Sequence, residues 1–497
     1  MLTRLKVKGF KNLVDVDVWF GPFTCIAGAN GVGKSNLFDA ITFLSALADR
    51  PLVDAALSVR DEGGRTGDIR SLFNHVGSDF AEEMSFEAEM IIPGKGFDDL
   101  AQEAKASSTF VSYAVTLRYR SKGSAHSLGE IELTREELSY IKRGEAAKHL
   151  PFSYSQLWMK SAVLGRRWTP NYISTDHARG VIKVHQDGGS SGKAQSLLAA
   201  NLPRTALSAA SAAESPTATL ARREMQSWRL LQLEPSALRE PDRFSSPVKL
   251  ASDGAHLPAT LYNLAKMSNG HSGSADAGLD HSSRIYSQVA TALSRLIDDV
   301  RAVKVDRDEK RELLTLYVTG RDGTSHSARS LSDGTLRFLA LAVLALDSEM
   351  EGTICLEEPE NGIHPMRIPS MINLLQDLAT DVDAPVGAEN PLRQVIINTH
   401  SPAVVMQVPE DSLLMADVVE QERGGKNVRS LVFRCLEGTW RHKASVMRPV
   451  SLGKLLAYLN PVLTEAQEFE DNGLTNRKRV IDRDDFRQYR LFGETTT

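Results

Sequence analysis

The chain has 497 residues, of which 42% are hydrophobic and 24% are charged, and its formal net charge is −5. These values are typical of a globular protein of a few domains, since one domain takes ~100–200 residues. They exclude a strongly basic protein, so any contact with nucleic acid would need a local basic patch.

No apolar run approaches the ~18 residues that cross a membrane, and the first residues alternate like a strand, unlike a signal peptide. The three cysteines stand in apolar surroundings, which predicts buried core residues in a reducing compartment. We therefore expect a cytoplasmic protein with no membrane contact.

The first predicted elements surround a glycine-rich segment. Two strands are predicted between residues 2 and 18, and a third over 23–27 leads into the sequence GANGVGKS at 28–35. Apolar positions at helical spacing follow over 36–44. A strand, a G-x-x-x-x-G-K-S loop and a helix in this order indicate a phosphate loop, which binds a nucleoside triphosphate.

Each residue type in this loop has a chemical role. Glycines permit the tight turns that point backbone N–H groups at phosphate oxygens, and the following helix directs its positive end at the same anion. Lys34 is expected to bind the β- and γ-phosphates and the Ser35 hydroxyl to ligate Mg²⁺, so the predicted cofactors are ATP and Mg²⁺. The predicted nucleotide-binding residues of the loop are Asn30, Gly31, Val32, Gly33, Lys34, Ser35 and Asn36.

The middle of the chain changes character twice. Alternating strands joined by turn-rich segments predict an antiparallel sheet, after which Ser/Ala-rich and Gly/Ser-rich stretches predict mobile loops. Apolar residues that repeat every three to four positions predict helices around these loops. The strands are predicted over 83–92, 110–120, 130–138 and a hairpin over 172–185, the loops over 206–219 and 268–283, and the helices over 220–233, 257–267 and 283–300.

Strands resume at 303–306 and 313–319, and from residue 330 strands and helices alternate, which predicts parallel strands that join the sheet of the phosphate loop. We therefore expect an α/β fold with a mixed sheet built from both ends of the chain. The later strands are predicted over 352–356 and 394–398, and the helices over 336–347 and 366–380. The predicted division is 1–205 and 301–415 for the two parts of one head, 206–300 for a helical insertion, and 416–497 for a C-terminal extension with a basic tail.

Four segments of the second half carry candidate chemistry. An apolar strand ends in Glu357 and Glu358, of which the first can hold the Mg²⁺ shell and the second can polarise a water that attacks the γ-phosphate. LSDGT at 331–335 offers a hydroxyl and N–H groups to an anion, although in isolation an ordinary helix cap is the favoured interpretation. A rigid turn, PENGIHP, follows the carboxylates, and NTHSP delivers His400 at a strand end, where a lone histidine is more often structural.

Taken in this order, the phosphate loop, LSDGT, LEEPENGIHP and NTHSP resemble the ABC-type ATPase heads of the SMC and RecF class. They resemble still more closely the bacterial AAA-family ATPases that share a head with OLD-family proteins. The resemblance covers both ends of the chain, including Lys11 and Asn12. It implies a P-loop NTPase fold with an ABC-type head, an antiparallel β lobe and a helical insertion.

The resemblance also implies residue roles. In such heads two protomers enclose two nucleotides, so Ser332 and Gly334 of one protomer would cap the γ-phosphate held by the other. The implied catalytic residues are Glu358, His400 and Lys34, the implied metal ligands are Ser35 and Glu357, and Lys11 and Asn12 lie where the family contacts nucleotide.

Two departures from the family pattern stand out. Position 357 is Glu where many ABC heads carry Asp, although the related bacterial ATPases often have two glutamates here. No glutamine after the first helix can be assigned to the loop that senses the γ-phosphate from the second lobe.

The first functional hypothesis is the ATPase subunit of a bacterial anti-phage system, similar to those of Septu and PARIS. ATP would close a homo-oligomer of heads and control a separate effector such as a nuclease, with DNA as a further partner. A transporter ATPase subunit is an alternative, weakened by the irregular middle and the missing glutamine. A scaffold that binds ATP without hydrolysing it is another, weakened by the intact Glu358.

Two features near the C-terminus are weak signals. The D-x-D sequence at 482–484 follows a strand too short for a nuclease core. The basic residues over 477–490 are interleaved with acidic ones, which is typical of a solvated face or a protein-docking tail.

Overall fold

The computed structural model describes residues 1–59, 68–77, 79–120, 129–165, 171–187, 194–267, 275–295, 297, 299–347, 350–423, 426–444 and 446–460. The chain forms two compact units, Met1–Val450 and Ser451–Thr497. The D-x-D sequence and the basic tail lie outside the described residues.

The described strands form three larger sheets and two small antiparallel pairs. In chain order they are β1 (Leu2–Phe10), β2 (Leu13–Trp19), β3 (Phe23–Ala27), β4 (His75–Val76), β5 (Asp79–Phe80), β6 (Glu83–Ile91), β7 (Lys95–Phe97), β8 (Glu103–Lys105), β9 (Phe110–Arg120), β10 (Glu130–Tyr140), β11 (Ile173–Asp176), β12 (Val181–Val184), β13 (Gln195–Leu198), β14 (Arg229–Leu231), β15 (Asp242–Arg243), β16 (Val300–Asp308), β17 (Leu313–Gly320), β18 (Ser325–Ser327), β19 (Gly352–Glu357), β20 (Arg393–Thr399), β21 (Leu413–Arg423) and β22 (Lys426–Arg434).

The described α-helices are mostly short, and the longer ones flank the sheets. They are α1 (Lys34–Leu47), α2 (Leu52–Leu57), α3 (Ala146–His149), α4 (Gln156–Ala162), α5 (Pro216–Gln226), α6 (Pro235–Leu238), α7 (Leu257–Met267), α8 (Ala275–Ser294), α9 (Asp333–Leu346), α10 (Ile368–Leu378), α11 (Pro402–Val405), α12 (Trp440–Lys443) and α13 (Leu452–Leu459). Among the described residues, none of these helices is both long and apolar enough to cross a membrane.

The central sheet has the strand order β14-β19-β20-β3-β21-β22, with all neighbours parallel except the last pair. Strands β3 and β20 are buried at every position, and their central residues are apolar without the polar alternation of a half-exposed strand. The carboxyl ends of β3, β19 and β20 lie side by side, and open α/β sheets bind ligands at that edge. The α/β class with a mixed sheet from both chain ends is confirmed.

The second sheet is antiparallel and has eight strands in the order β13-β12-β11-β10-β9-β6-β1-β2, as the alternating pattern predicts. Helix α1 packs on it through three aromatic rings. The rings of Phe10, Phe43 and Phe86 have centroids 5.4 to 5.9 Å apart and belong to β1, α1 and β6. The helix that follows the phosphate loop is thereby fixed to the antiparallel lobe.

A third, smaller sheet has the order β15-β17-β16, with β18 paired to β17. Helices α7 and α8 contact this sheet, and α8 also contacts α9. The cysteines Cys25, Cys355 and Cys435 are free and buried, so their predicted place in the core is confirmed.

The stretch 206–219 was predicted to be a mobile loop, and the structure shows that this prediction is wrong. Ala206 and Leu207 are buried, and their N–H groups donate to the carboxylate of Glu136 at 2.6 and 2.8 Å. Burial raises the pKa of Glu136 to about 7, against the effect of these hydrogen bonds. Small side chains, which suggested a loop, here permit close packing instead.

The structure differs from the prediction at two further places within 206–300. The helix predicted over 220–233 ends at Gln226, and the residues after it form β14 at the edge of the central sheet. Helix α8 begins inside the second predicted loop, whose residues 268–274 lie outside the described ones. The division at 205, 300 and 415 stays a proposal.

Candidate active site

A cleft of about 580 Å³ lies at the carboxyl edge of the central sheet. The phosphate loop and the start of α1 form one wall, and the ends of β14 and β19, together with α9, form the other. The predicted site residues that line this cleft are Asn30, Gly31, Gly33, Lys34, Ser35, Glu357 and Glu358. One cleft therefore brings together the phosphate loop and the two glutamates, whereas Lys11, Asn12, Val32, Asn36 and His400 are not among its lining residues.

The phosphate loop has the backbone that its glycines predict. Gly31 and Gly33 have φ angles of 77° and 95°, in the left-handed region that favours glycine. A Cβ on Gly33 would lie 2.0 Å from the side-chain amide nitrogen of Asn12, so no larger residue fits there. Helix α1 has no side-chain cap, which leaves its positive end to interact with an anion in the cleft.

Lys34 lies on the floor of this loop and is 6% exposed. Its Nζ donates to the carbonyl oxygens of Gly28 and Ala29 at 2.8 and 2.9 Å. Burial lowers the pKa of Lys34, and the neighbouring glutamates act in the opposite direction. The two carbonyl contacts therefore hold the ammonium against the loop, at the edge of the cleft.

Asn12 and Asn36 hold the phosphate loop through its outer side. Asn12 Nδ2 donates to the Val32 carbonyl oxygen at 2.9 Å, and Asn36 Nδ2 donates to Asn12 Oδ1 at 2.8 Å. Lys11 Nζ pairs with the buried carboxylate of Asp39 at 2.7 Å. These contacts give Lys11, Asn12 and Asn36 a structural role in supporting the loop and α1. A direct contact of any of the three with nucleotide stays a prediction.

The two glutamates at the end of β19 have different partners. Glu357 Oε2 accepts a hydrogen bond from Gln232 Nε2 at 3.1 Å. Glu358 Oε1 lies 2.7 Å from His400 Nδ1, and Glu358 Oε2 accepts from Asn361 Nδ2 at 2.9 Å. The sequence predicted Glu358 and His400 as catalytic residues, and the fold places them in direct contact, as a base and its orienting histidine would be.

The backbone of Glu358 is strained. Its φ angle is 45°, a left-handed value that costs a non-glycine residue about 1–3 kcal/mol. The Glu358 N–H donates to both the carbonyl oxygen and the side-chain Oδ1 of Asn398, each at 3.1 Å. Asn398 is 2% exposed, so a rigid partner on β20 stabilises the conformation that turns Glu358 into the cleft.

Gln232 and Arg337 are among the cleft residues that belong to no motif recognised in the sequence. Gln232 follows β14, a strand that lies inside a predicted helix, and its side chain donates to Glu357. Arg337 of α9 donates to the carbonyl oxygen of Leu233 at 3.0 Å and to that of Asn361. The sequence distinguishes Arg337 in one way, because it is the charged residue in a stretch of α9 that is otherwise apolar from Leu336 to Leu346.

Ser332 and Gly334 do not line this cleft. Ser332 Oγ caps α9 by accepting the Thr335 N–H at 3.3 Å, which is the ordinary structural interpretation of this segment. A Cβ on Gly334 would lie 2.4 Å from the carbonyl oxygen of Gly362, so glycine is required where α9 approaches that turn. A role in nucleotide binding therefore needs a nucleotide held by another molecule.

The polar groups of the cleft fit Mg²⁺ better than a metal held by protein alone. Among the described residues, no cluster of three or more His, Cys, Asp or Glu side chains could enclose a metal ion. Mg²⁺ usually takes one or two protein oxygens and completes its shell with water and phosphate oxygens. Ser35 and Glu357, which both line the cleft, are the groups that would hold it.

The fold and the site define a P-loop ATPase head of the ABC type. The sequence profile of the AAA_21 family, described as "AAA domain, putative AbiEii toxin, Type IV TA system", matches residues 23–139 and 193–406. The chain belongs to this family.

A short segment of the chain is 51% identical over 41 residues to the "OLD nuclease" of Thermus scotoductus, and this segment spans 8% of each protein. Similar solved structures include an SMC head bound to the C-terminal winged-helix domain of ScpA, with 13% identity, coverage of 88% and 98%, and a TM-score of 0.46. The SMC head domain from Thermotoga maritima has 12% identity, coverage of 88% and 99%, and a TM-score of 0.37.

Proposed function

We propose that the chain is a Mg²⁺-dependent ATP hydrolase. The observation that carries the proposal is the contact between Glu358 and His400 beside a complete phosphate loop. Lys34 and the loop N–H groups would bind the triphosphate. Glu358 would take the proton of the attacking water, and His400 would orient Glu358 toward the γ-phosphate. Mg²⁺ would neutralise the charge that develops on the phosphates.

We infer that a second copy of the chain completes each site. Ser332 and Gly334 stand at the N-terminus of a 14-residue helix but outside the cleft of their own chain. In a twofold-symmetric dimer, each copy would present the N-terminus of this helix to the nucleotide bound by the other copy. Both sites would then be completed at once. ATP would then drive pairing of the heads, and hydrolysis would release it.

The biological role that we propose is ATP-dependent control of an effector in bacterial anti-phage defence. The support lies in the family description, which names a toxin of a type IV TA system, and in the nuclease named for the similar segment. In this proposal the effector, such as a nuclease acting on nucleic acid, is a separate partner of a cytoplasmic homo-oligomer. Direct contact of the chain with DNA is a further part of the proposal.

Two variants test the proposed hydrolysis. Lys34→Ala removes the ammonium under the loop, and we expect it to abolish binding of a fluorescent ATP analogue in a titration. Glu358→Gln keeps the size of the side chain but not its basicity, so binding should persist while phosphate release falls by about 10²–10⁴-fold. Unchanged affinity in the first variant would refute the phosphate-loop assignment, and a wild-type rate in the second would refute the base.

A further inference from the structure

Glu360 is a buried carboxyl group that the proposed hydrolysis does not use. It is 7% exposed and does not line the cleft. Its Oε1 accepts a hydrogen bond from the hydroxyl of Thr399, and its Oε2 is buried without a hydrogen-bond partner among the described residues. Burying a carboxyl group with one oxygen unsatisfied costs free energy of folding. The single hydrogen bond of Glu360 therefore needs an explanation.

The contact joins the same two turns that meet in the cleft. Thr399 is fully buried and immediately precedes His400, and its Oγ1 also accepts the Ser401 N–H at 2.9 Å. On the cleft side, Glu358 touches His400 at 2.7 Å. Two contacts thus link the turn after β19 to the turn after β20. One joins Glu358 to His400, and the other joins Glu360 to Thr399.

Burial is the main influence on the pKa of Glu360. Burial, and to a smaller extent the negative charge of Glu358, raise the pKa of Glu360, while the Thr399 hydroxyl and His400 act in the opposite direction. The other ionisable groups that interact with Glu360 are Lys34 on α1 and the buried thiol of Cys25 on β3. The contact with Thr399 needs only an acceptor oxygen on Glu360.

We propose that Glu360 is a positioning residue that acts through Thr399 to hold His400 against Glu358, without touching nucleotide. The inference rests on the proposed ATP hydrolysis. Removing the carboxyl group should leave the phosphate loop intact but let the His400 turn move, and small misplacements of this kind cost up to about 100-fold in rate. The effect should fall on kcat, while the KM for ATP stays close to that of the wild type.

The kinetic test compares three single variants and one double variant. Glu360→Ala and Thr399→Val should each lower kcat by about 10- to 100-fold. Glu360→Gln should retain most of the rate, because its amide oxygen still accepts from Thr399 and carries no charge. The double variant of Glu360→Ala and Thr399→Val should be no slower than Thr399→Val alone, because Thr399→Val already removes the contact with Glu360, together with the one to the Ser401 N–H.

Glu136→Ala is the matched control. It removes another buried carboxyl group, from the antiparallel sheet, and should lower the unfolding temperature without changing kcat per folded molecule. Hydrogen exchange of the backbone amides of 399–401 gives a readout that needs no turnover. Exchange should be faster in Glu360→Ala and unchanged in Glu360→Gln.

The outcomes separate the two claims. If the wild type hydrolyses no ATP, the proposed function fails, and the exchange of 399–401 alone decides whether Glu360 holds that turn. If the wild type is active, a wild-type kcat in Glu360→Ala would overturn the inference. A Glu360→Gln rate as low as that of Glu360→Ala would overturn it too, because the carboxyl group would then act through its proton or charge rather than as an acceptor.

Discussion

At the scale of single residues, the site is organised around the strained backbone of Glu358. A left-handed glutamate persists only where its surroundings enforce it, and Asn398 does so with two hydrogen-bond acceptors. The side chain of Glu358 is then held by His400 and Asn361. The catalytic geometry therefore depends on a residue that contacts the backbone of the proposed base rather than its carboxylate.

We expect Asn398→Ala to lower both stability and turnover. Loss of the Oδ1 acceptor leaves the Glu358 N–H with the Asn398 carbonyl oxygen alone, and one lost hydrogen bond costs about 0.5–1.5 kcal/mol in the free energy of unfolding. Turnover should fall because Glu358 can relax away from its strained conformation. Urea denaturation and steady-state ATPase rates measure the two effects.

Asn390→Ala is the control for this variant. The Asn390 side chain makes several backbone hydrogen bonds in the turn over 381–390 and does not line the cleft. It should lose similar stability with an unchanged kcat. If Asn390→Ala lowers kcat as much as Asn398→Ala does, the special role of Asn398 is wrong.

The motifs predicted Glu358 and His400 as catalytic residues but not their contact, which arises because parallel pairing of β19 and β20 brings both strand ends to one edge. They did not predict Gln232 or Arg337. Gln232 follows a three-residue strand, too short to leave a periodic signal, and that strand exists only through its pairing with β19. The apolar residues before this strand have helical spacing, so the sequence pattern extended the predicted helix over the strand as well.

At the scale of secondary-structure elements, helices α1 and α9 begin in opposite ways. Helix α1 starts after a left-handed glycine and has no side-chain cap, so its free N–H groups suit a phosphate of the same chain. Helix α9 is capped by Ser332, with Asp333 in its first turn. Its cap alone accounts for Ser332 in this chain, so only a variant that keeps the cap can reveal a second role.

Ser332→Asp and Ser332→Asn make that distinction. Asp and Asn cap a helix about as well as Ser, so both variants should unfold at temperatures close to that of the wild type. The Asp variant places a negative charge where the partner's γ-phosphate would lie, and we expect it to lose ATPase activity while Asn retains a larger share. Activity in Ser332→Asp equal to the wild type would mean that Ser332 is a cap and nothing more.

At the scale of the whole molecule, the two ends of the chain form one central sheet, and the cleft lies where they meet. Strand-helix alternation was enough to predict this arrangement. The packing of 206–219 was not predictable, because it includes hydrogen bonds to Glu136, a residue of β10 that lies 70 positions before Ala206. Long-range polar contacts of this kind leave no local pattern in the sequence.

The central claim is that a second copy of the chain completes each site, and mixing two inactive variants tests it most directly. Lys34→Ala has an intact Ser332, and Ser332→Asp has an intact phosphate loop. Random pairing would make half of the pairs mixed, each with one complete site, so about a quarter of the wild-type ATPase rate is the upper limit. Because Lys34→Ala brings no ATP to the pair, we predict a rate above the sum of the two components and up to that limit. A mixture that is no more active than the sum of its two components would contradict the claim.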